Sequence, residues 1–129
     1  MNVLDENVLA DQRQLLFSWR VPFRQIGLEI GRKGMNDDEI IALLLTLRHP
    51  TLFTLDCDFW QRGLCHARYS LVPLDVRQSE AAAFVRRVLR HPELNTQAKR
   101  MGTVMRVSHA GIAVWRLHAE QVTHHGWPD

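Results

Sequence analysis

Cysteine is scarce in this chain: Cys57 and Cys65 are the only two. That is too few for a disulfide framework, and they read most simply as free thiols in a reducing cytoplasm. No apolar stretch approaches the roughly 18–20 residues needed to cross a bilayer, so no membrane partner is expected. The opening MNVLDENVL carries acids early and lacks a basic segment followed by a long apolar one, so no signal peptide is expected. Lysine is equally rare, limited to Lys33 and Lys99. Repeats, low-complexity tracts and linkers are missing as well, so residues 1–129 read as a single domain.

Within those limits the composition is that of a soluble globular protein, 46% hydrophobic and 23% charged over 129 residues. The net charge of +2 is unevenly spread. Residues 1–80 carry 9 basic and 11 acidic side chains, whereas residues 81–129 carry 7 basic and 3 acidic. The asymmetry permits a polyanionic partner.

The apolar pattern alternates between strands and helices. NVL at 2–4 reads as a short buried strand ending at Asp5. Residues 8–19 read as a helix with Val8, Leu9, Leu15, Leu16 and Trp19 on its buried face. VPFRQIG at 21–27 reads as a second strand, which Pro22 confines to an edge or a strand start. Asn36 and Glu39 form a capping box for a helix that runs to about Arg48. TLFTL at 51–55 and YSLVPL at 69–74 are further strands, and a helix spans about Ser79 to Arg90. A short helix or loop follows, and TVMRVS and IAVWRL close the chain as a hairpin around His109–Gly111. Alternating strands and helices through residue 90 predict an α/β fold with a mainly parallel sheet.

In such sheets ligands collect beyond the carboxyl ends of the strands. Asp5 and Glu6 follow the first strand, and Asp56 and Asp58 follow the third. A strand period of two places Asp56 and Asp58 on one side and a buried Cys57 on the other. Asp37 and Asp38 open a helix that packs on the sheet and can face the same rim. Carboxylates so close repel one another, and a divalent cation relieves the repulsion. Oxygen ligands without His or Cys favour Mg²⁺ or Mn²⁺, which can support phosphodiester cleavage. Taken singly, Asp37 and Asp38 are equally well explained as helix-opening acids.

Together, LDEN at 4–7, GMNDDEI at 34–40 and TLDCDF at 54–59 resemble the PIN-like nucleases of toxin–antitoxin type, closest to a short group relating to VapC-like toxins. The resemblance covers roughly residues 1–90 and, more loosely, the closing hairpin. It implies a three-layer PIN-like fold, with an acidic-site α/β core over 1–90 and a C-terminal helix or loop and hairpin over 91–129. It also implies a cytoplasmic Mg²⁺- or Mn²⁺-dependent endoribonuclease. Asp5, Asp37, Asp56 and Asp58 would be the catalytic metal ligands, with Glu6 and Asp38 supporting them from behind. The expected partners are an RNA substrate and a small cognate antitoxin, with room for a homodimer. Typical members have a small hydroxyl residue where this chain has Glu6, and often Glu where it has Asp37.

Arg32 and Lys33 precede the acidic helix, where an RNA phosphate would lie, and Trp60 can stack on a base. Arg86, Arg87, Arg90, Lys99 and Arg100 read equally as a solvated face, and His124–His125 as a frayed tail. Two other readings fit the same acids. A non-catalytic PIN-like module would only bind a protein partner. A receiver-like phosphoacceptor domain would use Asp56, but it needs a Lys ending a late strand, and neither lysine is so placed.

Overall fold

The structure, a computed structural model, describes residues 1–128. One seven-stranded sheet organises it, in the order β2-β1-β3-β4-β5-β6-β7. The strands are β1 (Asn2–Leu4), β2 (Arg24–Gln25), β3 (Thr51–Thr54), β4 (Ser70–Pro73), β5 (Thr103–Ser108), β6 (Gly111–Arg116) and β7 (Thr123–His125). The helices are α1 (Ala10–Ser18), α2 (Asp37–Thr46), α3 (Ala81–Arg90) and the single turn α4 (Gln97–Arg100).

Neighbouring positions on the central strands face opposite sides, and this builds two cores. Val3, Leu52, Leu71 and Val104 stand in register on one face and pack with Ile40 and Leu44 of α2. Leu4, Phe53, Val72 and Met105 point to the other face, against Leu16 of α1 and Ala81, Phe84, Val85 and Val88 of α3. Both faces of β3 and β4 are therefore buried, which is why these strands read as continuous apolar runs rather than as alternating ones.

The sheet is mixed, not mainly parallel as expected. β2, β1, β3, β4 and β5 are parallel, but β6 runs antiparallel to β5, and β7 antiparallel to β6. The departure lies in β7: His124, expected in a frayed tail, pairs with Ala113 of β6. A Cβ on Gly111 would come within 2.6 Å of the His125 carbonyl oxygen, so the turn into β6 leaves room only for glycine. The second expected strand shrinks to two residues. Gln25 is buried there, its side-chain amide donating to the Asp5 and Val8 carbonyls (3.0 and 2.9 Å), and the chain turns away at Gly27, whose N–H donates to the Ile30 carbonyl (2.8 Å).

α1 buries only part of the expected face: Val8 and Leu16 are buried and Trp19 packs against the core, but Gln12 goes inward in place of Leu9 and Leu15. Gln12 and Leu16, four apart, are its buried residues, while Leu9 and Leu15 are exposed. The Gln12 side-chain oxygen accepts from the Ala82 N–H at 2.9 Å, so this buried polar group satisfies the first turn of α3. α2 has the expected capping box, with Asn36 accepting from the Glu39 N–H and Glu39 from the Asn36 N–H.

Candidate functional site: an acidic rim at the β1/β3 switch point

The chain leaves β1 to one side to make β2 and returns to the other side to make β3. This reversal of strand order opens a crevice at the carboxyl ends of β1 and β3. Asp5 follows β1 directly and Asp56 stands two residues after β3. Asp37 occupies the first position of α2, the helix that connects β2 to β3.

Asp5 is only 5% exposed. Its Oδ1 accepts from the Glu6 N–H (2.8 Å) and its Oδ2 from the Thr54 hydroxyl (2.7 Å). The Thr54 oxygen in turn accepts from the Asp56 N–H (3.0 Å) and the Asn7 side-chain amide (3.3 Å). The Asn7 side-chain oxygen accepts from the Leu55 N–H (3.2 Å), which closes a network across the two strand ends. Thr54 and Asn7 are absent from the expected site residues although they organise it. Their sequence signal is their position inside the two acidic motifs, LDEN and TLDCDF.

Beyond Thr54 the strand does not continue, so the alternation expected for Asp56, Cys57 and Asp58 fails. Asp56 instead caps a 3₁₀ turn over Cys57–Phe59, its carboxylate accepting from the Asp58 N–H at 2.9 Å. Phe59 is driven into the core and Cys57, expected to be buried, is exposed. Short Asp side chains favour such local bonds over strand extension. Trp60 is partly buried against the α2-side core.

Burial is the largest influence on Asp5 and raises its pKa from 3.8; Glu6 and Asp56 push the same way, outweighing the bonds from Thr54 and Glu6 N–H. Asp37 is raised too, by desolvation and then by the charges of Asp56, Asp58, Asp5 and Asp38. The four expected ligands thus share one electrostatic neighbourhood. Glu6 reaches away from it, accepting from the Gly34 N–H at 2.8 Å and tying the loop before α2 to the end of β1. Arg32 is exposed and pairs with Glu39, while Lys33 lines a cleft of about 200 Å³ beside Glu6, Arg13 and Gln25. Arg86 stacks on Trp19 and Arg87 on Trp127, at 3.7 and 4.2 Å from the ring centres, so two of the three α3 arginines are anchored on aromatic faces.

Among the described residues no three His, Cys, Asp or Glu side chains are gathered closely enough to hold a metal ion. The chemistry of the donor set nonetheless suits a hard divalent cation, since these are oxygen ligands whose charges oppose one another. Rotation of Asp37, Asp56 and Asp58, none of them buried, is what such binding requires.

A raised carboxylate pKa has a definite sign in stability. Between the unfolded value and the higher folded value the folded state binds more protons, so stability from Asp5 falls as pH rises through that window. The urea midpoint of the wild type is expected to decline, relative to that of Asp5→Asn, as pH climbs from the ordinary aspartate value of 3.8. Parallel profiles for the two proteins would contradict the assignment.

No protein-family model, curated protein or solved structure matches this chain.

Proposed function

We propose that the chain is a PIN-like, Mg²⁺- or Mn²⁺-dependent endoribonuclease, the toxin of a toxin–antitoxin pair. The observation that carries this reading is the convergence of Asp5, Asp37, Asp56 and Asp58 on the switch point of the sheet, where the charges of Asp56, Asp58 and Asp5 all press on Asp37. Repulsion that the protein leaves uncompensated is what a bound cation relieves. A divalent ion there would supply charge stabilisation to a cleaved phosphodiester. Asp5, fixed by Thr54 and the Glu6 N–H, provides the immobile ligand; Asp37, Asp56 and Asp58 close around it. Lys33, in the cleft beside Glu6, would steady an RNA phosphate. Neutralisation by a small antitoxin, a cytoplasmic setting and a homodimer belong to the same proposal.

The test is cleavage of an RNA pool with and without Mg²⁺ or Mn²⁺, wild type against Asp56→Asn. Asn keeps the oxygen that caps the Asp58 N–H, so the fold is unaffected and only a negative charge is lost. Metal-dependent cleavage that disappears in the variant supports the reading. Equal cleavage by both proteins indicates a contaminating nuclease. No cleavage and no ion binding leave the non-catalytic, protein-binding module as the function.

One observation favours a receiver-like phosphoacceptor. The order of the first five strands, β2-β1-β3-β4-β5, is that of the receiver-type doubly wound sheet, with Asp56 after the third. Against it, β5 ends at Ser108, with no lysine at the rim, and the sheet continues into two antiparallel strands. Incubation with a small-molecule phosphodonor is expected to leave Asp56 unmodified.

A further inference from the structure

The opposite end of the sheet brings cations together with no matching anion among the described residues. α4 brings Arg100 beneath the start of β3, where it is 4% exposed. Its Nε donates to the Thr51 hydroxyl oxygen (3.0 Å) and its Nη1 to the Leu94 carbonyl (2.8 Å). Among the described residues Nη2 has no protein hydrogen-bond partner, but no buried side-chain nitrogen or oxygen is left unsatisfied, so Nη2 is the part of Arg100 that solvent reaches; no carboxylate pairs with this guanidinium. A buried charge without a counter-ion is costly and needs compensation from somewhere.

Arg100 lines a cavity of about 250 Å³ together with Arg24, Met1, Asn2 and Gln97, and among the described residues no acidic side chain contributes to its wall. Arg24 is exposed and, among the described residues, makes no ion pair, side-chain hydrogen bond or ring contact. Burial and the Arg100 charge together lower the pKa of the Met1 amino group, the sign expected where cations face one another.

We propose that this cavity binds a phosphate-type oxyanion between Arg100 and Arg24. Arg100 is held in place by Thr51 and Leu94, so its remaining N–H groups are pre-aimed, and the planar fork suits two oxygens of one phosphate. Arg24 closes from the solvent side, and the Gln97 amide can donate to a third oxygen. The site is distinct from the acidic rim: Thr51 opens β3 and Thr54 ends it, which separates the two by roughly 10 Å along the strand. Occupation of one therefore does not require the other, and the inference stands apart from the ribonuclease reading.

The test is an NMR titration of the full chain with inorganic phosphate at constant ionic strength, with sodium chloride as the control. Phosphate is expected to shift the amide signals of Asn2, Arg24 and Gln97, with affinity weakened roughly 10-fold in Arg24→Gln. Asp56→Asn is expected to bind phosphate as the wild type does, so failure here and failure of the nuclease reading are separable. Arg24 lies on the surface, so its replacement leaves the fold intact even if Arg100→Gln does not fold. A second arm compares a short oligonucleotide with and without a 5′-phosphate. Tighter binding of the phosphorylated form than of inorganic phosphate identifies a terminal phosphate as the ligand, and the reverse identifies the free anion. Shifts no larger than those from chloride, or equal affinity in wild type and Arg24→Gln, overturn the proposal.

Discussion

Asp5→Asn is expected to cost metal-dependent RNA cleavage roughly 100-fold or more, the scale of losing a charged group that acts on the transition state. The same substitution is expected to change folding stability by less than about 1 kcal/mol, because two effects oppose each other. Removing the charge relieves the burial that raises the Asp5 pKa. Against that, the Asn amide must donate toward the Thr54 oxygen, which already accepts from the Asp56 N–H and the Asn7 amide. The longer of these bonds, from Asn7 at 3.3 Å, is the one that yields. Cleavage assays and urea melts on the same preparation check both halves. Unfolding in the variant would make Asp5 a structural residue first, and retained cleavage would remove it from the proposed machinery.

Phe53→Ala is expected to produce the converse result, a stability loss of about 3–5 kcal/mol. Phe53 is fully buried in β3, with Leu4 beside it on one neighbouring strand and Val72 on the other. Four central strands and two helices enclose that position, so the surroundings cannot collapse into the vacated space. The loss is a large share of the roughly 5–15 kcal/mol that holds a domain of this kind together. Its carbonyl accepts from the Asp5 N–H at 2.9 Å, so any shift of β3 also moves the acidic rim. Urea denaturation measures the first effect. A loss below that range would mean that the core repacks around the cavity.

The contrast between these two positions shows what was legible in the sequence. Buried strands such as NVL and TLFTL announce themselves because both their faces are covered, and the Asn36–Glu39 cap because all its partners lie within one turn. The acids after the first and third strands follow from the same local pattern. What escaped depends on contacts distant in the chain. The buried Gln25 side chain bonds back to the Asp5 and Val8 carbonyls, and β7 pairs with the edge that β6 offers it. Helical periodicity places Leu9 and Leu15 inward, but burial of Gln12 against α3 turns them out. Thr54 is unremarkable in a list of strand residues and becomes central only when β1 lies beside β3.

The Thr54 hydroxyl has one proton and two lone pairs, and all three are committed: the proton to Asp5, the lone pairs to the Asp56 N–H and the Asn7 amide. The network therefore runs one way. Donors enter from the third strand and from Asn7, and Asp5 is the terminus where they end. A proton cannot enter Asp5 along the Oδ2 lone pair that the Thr54 hydroxyl occupies, so the carboxylate is approached from its other lone pairs. The rim thus has a fixed polarity, like a wire with a single sense of current, and it is set by the fold before any ligand arrives.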